Sequence, residues 1–262
     1  MIKDQLFQEF SIKNTCFKNR FVMAPMTRNF AKDGVPHPDA AEYYSIRARG
    51  GVGLIITEGV EISHPSSSGY PGCPNLISDK SKQAWEKIID AVHKENTKIF
   101  CQLWHVGGIR KPGIYPDPEV PGFTPSGIVK KGKKVAYEMS LDQIEEMIEV
   151  YANDAKICED LGFDGIEIHG AHGYLIDQFF WQETNQRTDY YGGSFDKRTN
   201  FAKNIISNSK KSTSDNFIVG IRFSQWKKQD YEAKIANNVD ELNQFISELS
   251  KSGPDFFHTS MR

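Results

Sequence analysis

"RFVMAPMTRNF", Arg20 to Phe30, starts as an apolar run and ends as a polar turn. In an open, doubly wound α/β sheet that binds a dinucleotide, the first strand runs into a Gly-rich turn, because only glycine lets the backbone approach the pyrophosphate. Ala24 to Phe30 contains no glycine, so that fingerprint is missing. The competing architecture built from repeated strands and helices, the closed (β/α)8 barrel, makes no such demand and is the fold expected here.

The rest of the chain supplies the repeats. Besides Arg20 to Met26, the runs Val52 to Gly59, Lys98 to Trp104, Phe163 to His169, Phe217 to Phe223 and Asp255 to Ser260 are short, apolar and rich in β-branched or aromatic residues, and read as strands. Helical spacing fills Asp39 to Gly51, Asp79 to Asn96, Ser140 to Gly162, Asp196 to Lys211 and Asn238 to Gly253. The third of these opens on Ser140 with Gln143 three residues later, a capping box, and stops at Gly162. Apolar strands alternating with helices imply a parallel sheet covered by helices. Two long connections, His64 to Ser78 and His105 to Met139, are rich in Pro, Gly and Ser; loops of that length in a compact domain usually form functional walls or lids. The length of 262 residues suits a complete barrel, yet only six strands can be counted, so about the first six βα units of a single barrel domain, 1–262, are expected, without the last two strands. Two open sheet edges and an exposed barrel interior follow from that count.

Composition narrows the function. With 39% hydrophobic and 25% charged residues the chain can bury a sizeable core. Its 32 basic and 34 acidic residues give a net charge of -2, which offers nucleic acid or an anionic membrane no electrostatic attraction. No apolar run approaches the roughly 20 residues of a bilayer span. "MIKDQLFQEF" lacks the order of a secretory signal, and a cytoplasmic address is expected. Cys16, Cys73, Cys101 and Cys158 lie far apart, without the C-x-x-C spacing of a zinc site or the pattern of a disulfide framework. A homo-oligomer stays open.

In a barrel the chemistry sits where strands end, and the polar residues there are Thr27, Glu58 with Gly59, Gln102 with Trp104, His169 with His172, and Arg222, read as one candidate site. Side chains alternate along a strand, so Gln102 should share the barrel interior with Phe100 and Trp104, Arg222 with Gly220, and His169 with Glu167 one pleat deeper. A buried Glu167 needs a partner that the sequence does not name. A guanidinium at a barrel mouth is costly without an anion or several acceptors, so Arg222 is expected to touch a ligand. His169 and His172 have a spacing that could hold a metal, but no third ligand is marked. Two imidazoles can instead donate to one oxygen, with Tyr174 supplying a proton from another direction.

Five stretches, "KNRFVMAPMTR" (Lys18 to Arg28), "GLIITEG" (Gly53 to Gly59), "QLWHVGG" (Gln102 to Gly108), "GFDGIEIHGAHGYLIDQFF" (Gly162 to Phe180) and "NQRTDYYGGSFDKR" (Asn185 to Arg198), resemble the Old Yellow Enzyme family of FMN-dependent NAD(P)H oxidoreductases, in the family's order and spacing. The resemblance implies non-covalent FMN at the barrel mouth. Pro25, Met26 and Thr27 would lie along the isoalloxazine, Gly59 would allow close approach, Gln102 would bond the pyrimidine edge, His169 would lie against the flavin and Arg222 would face N1 and C2=O. NAD(P)H would reduce the flavin and leave, giving ping-pong kinetics. A small unsaturated carbonyl compound would then be held at its oxygen by His169 and His172, walled by Trp104, and protonated at the α carbon by Tyr174 as hydride reaches the β carbon.

The family also implies what is not seen. Its seventh and eighth strands carry much of the FMN phosphate site, and no Gly-rich loop in this sequence replaces them, so the expectation is a piece of a longer protein or a C-terminally truncated product. The Cys-rich iron-sulfur region of the 2,4-dienoyl-CoA reductase type is absent from these residues. "HGAHGYL" is similar to ene-reductases of the N-ethylmaleimide reductase type, whereas "RFSQWKKQDYEAKI" (Arg222 to Ile235) departs from them. An inactive relic of the family, and a metal-dependent barrel hydrolase using the histidine pair, are the alternative readings.

Overall fold

The computed structural model describes residues 2–111, 113 and 117–261. Among them six parallel strands form one curled sheet in simple sequential order: β1 (Val22–Met23), β2 (Leu54–Glu61), β3 (Lys98–Trp104), β4 (Gly165–His172), β5 (Ile218–Lys227) and β6 (Phe256–Ser260). Helices α1 (Ala40–Arg49), α2 (Asp79–His93), α3 (Leu141–Asp160), α4 (Asn200–Ser212) and α5 (Val239–Ser250) fill the successive crossovers. β1 and β6 are the two edges, so the sheet is the six-unit arc of a barrel. Among the described residues no helix is long and apolar enough to cross a membrane.

The alternation of side chains sorts the two faces as expected. Ile99, Cys101 and Leu103 of β3, Ile166 and Ile168 of β4, and Val219 and Ile221 of β5 pack outward in one cluster with Trp85, Ile88 and Ile89 of α2, Tyr151 and Ala155 of α3, and Phe201 and Ile205 of α4. Each fully buried Ile or Phe in that layer contributes about 1.5–3 kcal/mol through removal from water. Inward, Leu54, Ile56, Phe100 and Ile218 meet Phe17, which comes from an antiparallel hairpin, Phe10–Ile12 with Thr15–Phe17, that plugs the N-terminal end of the arc. Sequence reading did not foresee this hairpin, whose strands are only three residues long.

Several boundaries move for identifiable reasons. β1 pairs over two residues rather than the seven expected, because Pro25 has no N–H to donate and ends the ladder. β2, β4 and β5 run past their expected ends, β2 through an irregularity between Ile56 and Gly59, β4 through one between Gly170 and His172 that re-engages β5 at Lys227. The helix expected over 196–211 is broken at Thr199 into Phe195–Arg198 and α4. A short helix, Leu175–Phe180, follows Tyr174 where none was expected. The Ser140 capping box is formed, with Gln143 N donating to Ser140 Oγ at 3.2 Å and Ser140 N to Gln143 Oε1 at 2.9 Å. The connection after β3 builds its own short pairs, Phe123–Thr124 with Tyr137–Glu138 and Ile128–Lys130 with Lys133–Lys134.

Candidate active site

Register puts the inward polar residues side by side. Gly59 pairs with Gln102, Gln102 with Glu167, His169 with Arg222, and Arg222 with His258. Gln102 Nε2 donates to Glu167 Oε1 at 2.7 Å, and His258 Nδ1 lies 2.7 Å from Glu167 Oε2. The carboxylate that lacked a named partner therefore has two, and Gln102 is oriented by the one it serves. His258 escaped the sequence reading, although the same alternation rule, applied to "DFFHTS", places Phe256, His258 and Ser260 on the inner side.

The irregular end of β4 builds the rest. His172 adopts φ 65°, a conformation that ordinarily costs a non-glycine residue about 1 kcal/mol or more and persists only where neighbours enforce it. Here its N–H donates to Ser224 Oγ at 2.8 Å and its carbonyl accepts from Lys228 N at 3.0 Å. Its ring stacks on Trp226 with centroids 4.6 Å apart, and Nε2 is 2.7 Å from Ser260 Oγ. Gly173 N donates to Asp177 Oδ2 at 2.7 Å, and Asp177 in turn holds Lys227 Nζ at 2.7 Å, with both side chains fully buried. Lys227 spends its remaining donors on Ser224 O at 3.1 Å and Gln225 O at 3.0 Å. The end of β5 thus clamps the turn that carries His172 and Tyr174.

His169, His172 and Tyr174 come together as expected. The imidazole centroids are 5.0 Å apart and nearly perpendicular, and the Tyr174 ring stands 5.2 Å from His169 and 5.0 Å from Trp104. Burial, reinforced by the neighbouring His172 and Arg222, holds the His169 imidazolium well below its ordinary range, and His172 is pushed down to about 3 by burial and by the Arg222 and Lys227 charges. Both rings are neutral near pH 7. Ala171 N donates to His169 Nδ1 at 3.3 Å, which leaves the proton of the neutral ring on Nε2. Burial raises the Tyr174 phenol above its ordinary value, so it is a protonated donor at neutral pH. Tyr70, from the connection after β2, also joins the cluster: its ring stacks on Trp104 at 5.7 Å, and its hydroxyl is 3.5 Å from that of Tyr174. Nothing in the composition of a Pro, Gly and Ser-rich loop marked it.

Other expected members sit differently. Gly59 leaves room for the Trp104 ring, since a Cβ there would lie 2.6 Å from Cε3. Glu58 does not join the cluster: it accepts from Arg28 N at 3.0 Å, its own N–H meets Tyr44 Oη of α1, and it lines a separate pocket with Arg28, Phe30 and His37. One residue from the inward Gly59, it falls on the opposite side. Pro25 is half-buried, and Met26 and Thr27 are exposed beside β1. Among the described residues no group of three His, Cys, Asp or Glu side chains is arranged to hold a metal.

The arc thus defines a class, a parallel α/β barrel whose strand ends carry a neutral histidine pair, a phenol and a half-buried guanidinium. Comparison with known proteins takes the last step: the chain belongs to the NADH:flavin oxidoreductase / NADH oxidase family, whose model matches residues 5–261. It is 36% identical over 258 residues to an NADH oxidase of Thermoanaerobacter brockii, covering 97% of this chain and 39% of that one. It is also 36% identical over 248 residues to putative 12-oxophytodienoate reductase 6 of Oryza sativa subsp. japonica, covering 93% of this chain and 62% of the relative. Similar solved structures include morphinone reductase in complex with tetrahydroNAD (TM-score 0.85, 28% identity, 97% of this chain and 73% of that one) and the old yellow enzyme homologue from Zymomonas mobilis (TM-score 0.86, 31% identity, again 97% and 73%). The chain therefore spans 39% and 62% of the two curated relatives.

The family binds FMN, and the residues present fit it. Arg222 Nε and Trp104 Nε1 are buried donors with no hydrogen-bond partner among the described residues. Each such group costs about 1–3 kcal/mol if left unmet, and an acceptor-rich flavin edge would meet the guanidinium.

Proposed function

We propose that this protein is an FMN-dependent NAD(P)H oxidoreductase that reduces the activated C=C bond of α,β-unsaturated carbonyl compounds. The observation that carries the reading is the convergence of two neutral imidazoles and a protonated phenol against Trp104. Pro25, Met26, Thr27, Gly59, Gln102, His169 and Arg222 would hold FMN, which when bound supplies hydride acceptance from NAD(P)H and hydride delivery to the substrate.

The chain's own residues do the rest. His169, with its proton on Nε2, and His172 donate to the carbonyl oxygen of the substrate, drawing electron density from the double bond. Neutral donors suit this task, because they strengthen as the oxygen gains negative charge and need no counter-ion in the apolar site. Tyr174 gives its proton to the α carbon, leaving the product saturated. Trp104 and Tyr70 shut out water from one side. Arg222, fixed by Ser260 Oγ at 3.2 Å, offers positive charge where negative charge accumulates.

The test is stopped-flow measurement of the two half-reactions in Tyr174→Phe. Enone reduction should fall by about 100-fold or more, the usual worth of a positioned acid, while reduction by NAD(P)H stays within about twofold of wild type. Parallel loss of both rates would reject the role of Tyr174. A wild-type chain that takes up no FMN would favour instead a piece of a longer protein that holds the rest of the site, or the relic reading.

A further inference from the structure

Tyr174 is nine-tenths buried, and a donor that gives up a proton in each turnover must recover one. The structure shows a chain of groups from its hydroxyl to the surface. Tyr174 Oη is 3.5 Å from Tyr70 Oη, and Tyr70 Oη is 2.7 Å from Nζ of the exposed Lys228. The lysine ammonium also lies 4.8 Å from the Tyr70 ring centroid, which holds it over the phenol. Its backbone is fixed independently, because Lys228 N donates to His172 O.

Donor counting gives this chain a direction. An ammonium has three N–H donors and no acceptor, so Lys228 must donate to Tyr70 Oη. Tyr70 has one O–H, which is then free to point at Tyr174 Oη. Tyr174 accepts that bond, and its own O–H is released toward the site. A chain of two phenols alone could be ordered either way round; the lysine selects the order in which Tyr174 faces the substrate as a donor.

Resting on the reading of Tyr174 as proton donor, we infer that Lys228 and Tyr70 form the route by which the Tyr174 hydroxyl is oriented and reprotonated from solvent. The Tyr174 O–H bond breaks as a C–H bond forms at the substrate α carbon, using the electron pair of the enolate. The Tyr70 O–H proton passes to the Tyr174 oxygen, an N–H proton of Lys228 passes to Tyr70, and the lysine amine takes a proton from water. One proton enters from solvent for each one placed on carbon. Lys228 acts through Tyr70 and is a positioning and relay residue; it does not touch the substrate.

The experiment uses the FMN-loaded chain with 2-cyclohexenone as probe and compares wild type, Tyr70→Phe, Lys228→Met, Lys228→Arg and Tyr174→Phe. Arginine can donate the orienting bond but does not give up its proton, so it separates orientation from delivery. Lys228→Met and Tyr70→Phe should slow enone reduction by about 10-fold or more, Lys228→Met at an unchanged rate of reduction by NAD(P)H, and the solvent deuterium isotope effect on enone turnover should rise in both. Lys228→Arg should restore single-turnover reduction yet stay slow over many turnovers, and added ethylamine should speed Lys228→Met. Full activity and an unchanged isotope effect in both Lys228→Met and Tyr70→Phe, with Tyr174→Phe still impaired, would overturn the relay and spare the donor assignment. Full activity in Tyr174→Phe would overturn both.

Discussion

Replacing Lys227 by methionine removes the counter-charge of a fully buried carboxylate while nearly preserving side-chain volume. Burial pushes the Asp177 carboxyl up to about 6, even with the ammonium 2.7 Å away, and pushes Lys227 down, so both partners are charged near pH 7. Because the folded-state value of Asp177 lies above the unfolded one, this group favours folding most below the unfolded value, and wild type loses stability as pH rises until the carboxyl has ionised near pH 6. Without the lysine the carboxyl must fold protonated at still higher pH. The variant should therefore go on losing stability above about pH 6 by about 1.4 kcal/mol per pH unit, a gap of about 1.4 kcal/mol at pH 7 and about 2.7 kcal/mol at pH 8. To this is added a pH-independent loss of about 1–3 kcal/mol for Ser224 O and Gln225 O, which lose their donor. Urea denaturation of Lys227→Met at about pH 5.5, 7 and 8 measures it, and Asp177→Leu/Lys227→Met should abolish the pH-dependent part. A stability difference that stays flat over this range would refute the argument that Lys227 neutralises Asp177.

Further outcomes follow from single contacts. His169→Ala/His172→Ala should weaken phenol binding by about 10-fold or more, read as loss of the long-wavelength absorbance change on titrating the FMN-loaded chain, since it removes two donors to the phenol oxygen. Wild-type phenol affinity should show no inflection from these two rings between about pH 5 and pH 8, because both are already neutral there. Gly59→Ala would set a Cβ 2.6 Å from the Trp104 ring, and thermal unfolding should show destabilisation of about 1–3 kcal/mol. Ser140→Ala removes one half of the α3 capping box and should cost about 1 kcal/mol by urea denaturation, with turnover unchanged.

How much of this was legible depended on whether a feature is local. β3 was read to the residue, because Lys98 to Trp104 alternates without interruption, and the inward set Phe100, Gln102 and Trp104 followed from it. The Ser140 cap was legible because its geometry spans four residues. By contrast β4 was cut short at His169: the irregularity that carries it to His172 depends on Ser224 and Lys227, some fifty residues away, and no local pattern encodes that pairing. Nothing in "LIDQFF" marks Asp177, and its role appears only when Lys227 is brought beside it. Glu58 was misplaced for a similar reason. Alternation from the inward Leu54 and Ile56 would also put Glu58 inside; the irregularity between Ile56 and Gly59 turns Gly59 inward and Glu58 outward, and no local pattern marks it.

The charges around the histidines explain why this arrangement suits an anion. Arg222 and Lys227, with His258 behind them, surround the pair, while the Glu167 carboxylate is spent on Gln102 and His258 one pleat deeper. The positive field that adds to burial in keeping a proton off His172 is the field that would stabilise an enolate or phenolate oxygen at the same place. Neutral imidazoles are thus a consequence of burial first, reinforced by the cations that make the pocket attractive to negative charge. On the proposed reaction a carbonyl substrate would enter uncharged and gain most from this field only as electron density moves onto its oxygen, so the interaction would be stronger at the transition state than in the ground state. Neutralising Arg222 with Arg222→Met should therefore lower the rate of enone reduction more than it weakens binding of the neutral enone, a split that steady-state kinetics resolves as a fall in kcat larger than the rise in KM. A kcat that stays near wild type while only KM rises would mean that Arg222 serves binding alone.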